Sequence, residues 1–261
     1  MGMDTGQKFL TKAEFDNFLR RLSSKNIQLT IPAAQITQNI ITNIEAGWPS
    51  LKDRIVRYML PDMFYDNASL TAIGCTLESS GFTSGRLLDA DGAWKWMQTQ
   101  AVANNFAYWR IGTNATPMLV LLPHNPIFFA KIKTGASVAA MRLWIGLTSN
   151  DITNVDDPLV QVCAFLYSAG ISGNWYAVTD DDVTLTPVDT GLAIAANTIY
   201  TPMIEVVNGN TVKFYINGAL LHTATTNLPS AATDFGWTIY WATTENVIKR
   251  IYVSRVFLES N

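Results

Sequence analysis

Apolar and polar positions follow two different periods along this chain. Up to about residue 62 the period is helical. Thr11-Lys12-Ala13-Glu14 has the form of a capping box, in which the threonine hydroxyl takes a free N–H and the glutamate reaches back. Phe15, Phe18, Leu19 and Leu22 follow at helical spacing and predict an amphipathic helix over about 12–23. Ile36, Ile40 and Ile44 then recur every four residues among Gln35, Gln38, Asn39 and Asn43. So narrow a stripe fits a seam between identical chains, and equally a helix packed on the chain's own β domain. A third helix is expected from near Ser50, with Ser50 and Asp53 as its cap pair, ending before Pro61.

From Pro126 onward the period is two. Phe128, Ala130 and Ile132 alternate with Phe129, Lys131 and Lys133, and Met141, Leu143, Ile145 and Leu147 follow the same rule. The run 160–167 is apolar on both faces, as a strand covered on both sides requires. Further strands are expected over 175–179, 200–207, 212–216, 219–225, 237–241 and 250–258. The clearest element is the hairpin in TVKFYINGALLHTAT, where Asn217-Gly218 supplies the positive φ angles of a type I′ turn. A regular register would set Ile216 against Ala219, Phe214 against Leu221, Val212 against Thr223 and His222 against Lys213. Strands this short and this numerous imply two antiparallel sheets packed face to face. Residues 63–125 hold a Trp- and Tyr-rich tract of β character (Trp94, Trp96, Tyr108, Trp109), readable either as a separate small domain or as the first strands of the sandwich. The expected division is a helical arm over 1–62 and a β-sandwich over 63–261.

The segment 144–229 resembles the concanavalin A-like (lectin/glucanase, laminin-G-like) jelly-roll domains of bacteriophage virion and bacterial surface proteins. The resemblance rests on RLWIGLTS, AFLYSAGISGNWYAVTDDD and DTGLAIAANTIYTPMIEVVNGNTVKFYINGALLHTATTNLP. It implies a mainly β fold, an antiparallel jelly-roll sandwich with a small helical N-terminal arm. IPAAQITQNIITNI is similar to linker and shaft segments of phage tail proteins. Together these imply a virion surface protein made in the host cytoplasm, a homotrimer joined through Ile36, Ile40 and Ile44 and bound to other virion proteins. Its expected role is non-enzymatic host attachment as a tail fibre or spike subunit. The alternatives are a capsid decoration protein and a free carbohydrate-binding lectin module.

Composition narrows the classes. Hydrophobic residues make up 48%, enough for a large core, while charged residues make up 15% and the net charge is −3. Without a basic field, nucleic acid is not an expected partner. No run has the length of a membrane span and no basic-then-apolar leader opens the sequence, so no membrane partner is expected. Cys75 and Cys163 have no metal-ligand spacing, and Cys163 in VQVCAFLY reads as a buried hydrophobe rather than half of a disulfide.

Candidate chemistry is sparse. Glucanases of the resembling fold carry a Glu-x-Asp-x-(x)-Glu strand, because glycoside hydrolysis needs paired carboxylates. This chain has none, which is the basis for expecting no enzyme. His124 and His222 are isolated and read as structural. Calcium is a candidate cofactor, since related lectins hold it with loop carboxylates and amides. Asp156 with Asp157, and Asp180 with Asp181 and Asp182, are the oxygen clusters for it. The Asp180 run reads equally as a turn. A host surface glycan would meet aromatic faces, and Trp175, Tyr176 and Tyr240 are the candidates. Alternation puts Trp237, Ile239 and Trp241 in the core and turns Tyr240 the other way.

Overall fold

A computed structural model of the chain describes residues 58–60, 75–79, 83–89, 92–111 and 120–260. All of them belong to the unit Asp53–Asn261. The first two predicted helices and the Ile36, Ile40, Ile44 seam lie outside the described residues; the third helix, expected up to Pro61, is corrected at its end, where Tyr58–Leu60 form a strand paired antiparallel with residues 256–258.

The described elements are strands with one short 3₁₀ turn at Leu122–His124. In chain order they are β1 (Tyr58–Leu60), β2 (Cys75–Ser79), β3 (Thr83–Asp89), β4 (Gly92–Gln98), β5 (Phe106–Ile111), β6 (Ile127–Thr134), β7 (Met141–Thr148) and β8 (Val162–Ser168). The series continues with β9 (Asn174–Asp180), β10 (Leu185–Ala193), β11 (Ile199–Tyr200), β12 (Pro202–Val207), β13 (Thr211–Ile216), β14 (Ala219–Ala224), β15 (Gly236–Thr243) and β16 (Arg250–Glu259). They form two antiparallel sheets. One has nine strands on the path β14-β13-β12-β6-β16-β4-β3, with β1 on β16 and β11 on β6. The other has seven, in the order β10-β9-β8-β7-β15-β5-β2. The architecture is the β-sandwich jelly roll that the sequence predicts. The strands of the 75–111 tract are divided between the sheets, β3 and β4 in the larger and β2 and β5 in the smaller.

Alternation decides what lies between the sheets. Along β6 every second residue is buried, with Phe128, Ala130 and Ile132 wholly inside. From the smaller sheet Trp109, Phe165, Trp175, Trp237 and Trp241 point in to meet Phe214, Ile204 and Val212 of the larger. Phe165 and Phe214 touch edge to face across the gap at 5.4 Å, and Trp109 packs on Trp241 at 4.9 Å. Cys163 is a free thiol in this core, and burial pushes its pKa well up, so it is no nucleophile.

The hairpin turns where predicted, with Asn217 at φ 53° and Gly218 at φ 79°. Its register is corrected. Ile216 faces Ala219, but a bulge between Phe214 and Tyr215 leaves Leu221 as the extra residue and shifts every later pair by one. His222 therefore lies against Phe214, not Lys213, and it is burial that lowers its pKa. Strand β10 was not foreseen. It edges the smaller sheet with Pro187 in its run and a register break between Asp189 and Ala193.

Candidate functional site

The outer face of the seven-stranded sheet gathers chemistry that is scattered in sequence. Cross-strand pairing lines up Tyr108, Tyr240, Trp144, Leu166, Tyr176 and Asp189 in one row. Arg110, Thr238, Gly146, Ala164 and Val178 form the next row. Gly146 is required there: a Cβ would come 2.5 Å from the Cys163 carbonyl oxygen. On the other side of the aromatic row, Phe106, Ala242, Arg142 and Ser168 are paired. Phe106, Tyr108 and Tyr240 stack, with centroids 5.8 to 6.4 Å apart.

Much of this face is covered by the chain itself. The connection between β7 and β8, residues 149–161, folds back as a strap. Arg142 holds it, bonding the Asp156 carboxylate through Nε at 2.6 Å and the Asn154 main-chain oxygen at 2.7 Å, and also reaching the Asn154 side-chain oxygen. The indole of Trp144 donates to the Val155 carbonyl at 3.2 Å, and Asp151 pairs with Arg110. Ile152 is driven into the apolar cluster around Trp144 and Tyr240. Burial pushes the Asp156 carboxyl up, but the hydrogen bond of Arg142, the Ser168 side chain and the charge of Arg142 together outweigh it and hold the group below its ordinary 3.8.

Beyond the strap, toward β9 and β10, the Tyr176 ring stays partly exposed. The Tyr176 hydroxyl donates to Ser172 Oγ at 2.9 Å. The Asp189 carboxylate, directly across the ladder, accepts two bonds from the Asn174 amide at 3.0 and 3.1 Å and one from the Gly191 N–H at 2.7 Å. A flat ring framed by a hydroxyl, an amide and a carboxylate is the equipment for one pyranose: the ring takes the apolar face and the polar groups take hydroxyls. Asn174, Asp189 and Ser172 were not read from the sequence, because only the β9–β10 register brings them together.

The three aromatic candidates fare differently. Tyr176 lies at the surface. Trp175 is 0% exposed between the sheets, because it and Tyr176 alternate and Tyr176 takes the outer side. Tyr240 does turn away from the core, but the strap and its neighbours leave it 2% exposed and its hydroxyl without a hydrogen-bond partner. Neither Trp175 nor Tyr240 is an accessible sugar platform.

The acidic candidates do approach one another. Burial raises the pKa of Asp180, and the charges of Asp157, Asp181 and Asp182 add to that. One oxygen of each of four is bonded elsewhere: Asp156 to Arg142, Asp157 to the Leu159 N–H, Asp180 to the Asp182 N–H and Asp181 to the N–H groups of Val183 and Thr184. Among the described residues no group of three His, Cys, Asp or Glu is placed to hold a metal. These donors do not fit a calcium ion, whose six or more oxygens must converge. They are turn and strap contacts.

Residues 89–251, more than half of the chain, match the family model of the SO2946-like, C-terminal domain. No curated protein matches in sequence. Among solved structures, SO2946 from Shewanella oneidensis MR-1, a protein of unknown function, aligns at a TM-score of 0.61 with 11% identity, covering 98% of this chain and 96% of that one. The potassium-bound carbohydrate recognition domain of Emp46p aligns at 0.54 with 9% identity, covering 77% and 95%. The β-glucanase of Bacillus licheniformis aligns at 0.51 with 12% identity, covering 78% and 98%. These likenesses establish a fold shared with lectins and glucanases. They also correct the expectation that the chain is no enzyme. The fold is equally that of an endo-β-1,4-glucuronan lyase from Trichoderma reesei and of the carbohydrate esterase vb_24B_21 from the Shiga toxin-encoding bacteriophage phi24B. Lacking a Glu-x-Asp-x-(x)-Glu strand removes one hydrolytic chemistry and leaves the others open.

Proposed function

The chain belongs to the SO2946-like, C-terminal domain family, and we propose that this member binds carbohydrate on the outer face of its seven-stranded sheet, at Tyr176. The observation that carries the reading is the partly exposed Tyr176 ring with Ser172, Asn174 and Asp189 around it. The sandwich that supports it is the one seen in the Emp46p carbohydrate recognition domain. A glycan array probed with the full chain, followed by calorimetry on the best ligand, tests it. Tyr176→Ala is expected to weaken binding about tenfold or more, as loss of an aromatic anchor does. A blank array, or a variant that binds like the parent, rejects the site. Incubating the bound glycan with the protein and looking for shortened or de-esterified products separates retention from turnover.

We further propose that the glycan belongs to a host surface and that the chain is carried on a virion, as a tail fibre or spike subunit or as a capsid decoration protein. The resemblance of IPAAQITQNIITNI to tail shaft segments supports this, as does the shared sandwich of the phage esterase. Immunogold electron microscopy of purified particles is the test. Label on tail or head is expected, and particles free of label reject it.

A further inference from the structure

Charge is unevenly spread along this chain. Between Arg142 and Lys213 the sequence holds no lysine, arginine or histidine and eight carboxylates, although the whole chain has 18 lysines and arginines. Seven of the eight lie on the strap over 149–161, on β9, on β10 or in the turn between those strands. The eighth, Glu205, is on β12 in the other sheet. The cations of neighbouring strands do not offset them at Tyr176, since Arg142 is turned to Asp156 and Arg110 to Asp151, both in the strap. The field over β9 and β10 is therefore negative.

Within that field one carboxylate is set for a ligand. Asp189 is exposed, on the outer side of β10 and directly across the ladder from Tyr176. Its hydrogen-bond partners are neutral: the Asn174 amide reaches both oxygens and the Gly191 N–H reaches Oδ1. Among the described residues no cation pairs with it. These bonds fix the plane of the carboxylate without neutralising it. A carboxylate offers about four lone-pair positions, and the three bonds leave one, on Oδ2. Beside it the Tyr176 ring presents a partly exposed face, its hydroxyl tied back to Ser172 Oγ. An oriented carboxylate next to an aromatic face is the pair that holds an ammonium group. The oxygen takes a charge-assisted hydrogen bond, and the ring attracts the cation. A uronate would meet Asp189 as a like charge.

On the footing of the saccharide site at Tyr176, we propose that its ligand is an amino sugar with the nitrogen free. The ammonium group lies on Asp189, and the apolar face of the pyranose lies on the Tyr176 ring.

Calorimetry of the full chain with three tetrasaccharides is the test. They are oligoglucosamine, its N-acetylated counterpart, which keeps the skeleton and loses the charge, and oligogalacturonate, which reverses it. Oligoglucosamine is expected to bind about tenfold or more tightly than the N-acetylated form, the weight of one charge-assisted hydrogen bond, and oligogalacturonate not to bind. Added salt, and a pH that neutralises the amine, are each expected to narrow the gap. Asp189→Asn keeps an acceptor for Asn174 and Gly191 and removes the charge, so it is expected to close the gap with little change for the N-acetylated form. Asp182→Asn removes the same net charge from the β9–β10 turn, at an exposed residue whose φ of 74° asparagine tolerates, and is expected to keep the gap. Tyr176→Ala is expected to weaken both oligomers. Should Asp189→Asn fail to fold, the parent chain decides, and a gap unmoved by neutralising the amine overturns the assignment. Equal affinity for the two oligomers, a gap that survives Asp189→Asn, or one that Asp182→Asn closes as well overturns it too, while Tyr176-dependent binding leaves the saccharide site standing. No binding of oligoglucosamine also overturns it, and a blank glycan array beside that result rejects the site itself.

Discussion

Tyr240 places a buried hydroxyl where no protein group bonds it. The ring earns its place by stacking on Phe106 and Tyr108, while the oxygen is a buried polar group left unsatisfied. Burial also raises its pKa, so it stays protonated throughout the working range. Tyr240→Phe keeps the stack and deletes the orphan oxygen. It is expected to raise stability by about 1 kcal/mol, read as a shift in urea midpoint at unchanged slope. A loss of stability would mean that the hydroxyl has a partner, such as a fixed water. The same change should leave Tyr176-dependent glycan binding intact, since Tyr240 and Tyr176 stand three strands apart in their shared row, with Trp144 and Leu166 between them.

At the scale of elements, the strap over residues 149–161 is the piece whose hold depends on charge. Asp156 titrates below 3.8 in the folded chain because of Arg142 and, after it, Ser168, so its stabilising bond is complete above that value and is lost as pH falls through the lower, folded one. Amide exchange in the strap, corrected for intrinsic rates, is expected to accelerate about two- to fivefold across that acidic step, the range of a partly exposed ion pair. Asp156→Asn should show the loosened rate at every pH and no step. A strap indifferent to acid would place its anchoring in Ile152 and Trp144 instead. None of this was legible in the sequence. Alternation gave the inward set Trp237, Ile239 and Trp241 and the outward parity of Tyr240, because period two is local. The cover over Tyr240 comes from a connection whose apolar residue, Ile152, has no periodic company. The hairpin was legible in its turn and not in its register, since any of several neighbouring residues can supply a bulge. Strand β10 escaped because Pro187 and Gly191 interrupt its run and its burial alternates only between partly buried and exposed, with no fully buried apolar position to mark it. Trp175 and Tyr176 are adjacent aromatics, and composition alone does not tell which one faces out.

Taken whole, the sandwich turns the row around Tyr176 outward from its smaller sheet, with the double layer of core side chains behind it. The margins of the sheets matter as much as their faces. A bare edge strand invites a neighbour's strand to extend it, and repetition of that step grows a filament. At β10 the invitation is withdrawn: Pro187 offers no N–H, Asp189 brings charge, and the register break bends the strand before it can serve as a template. Many copies crowded side by side can therefore keep this margin free of sheet-to-sheet growth and remain separate, countable units.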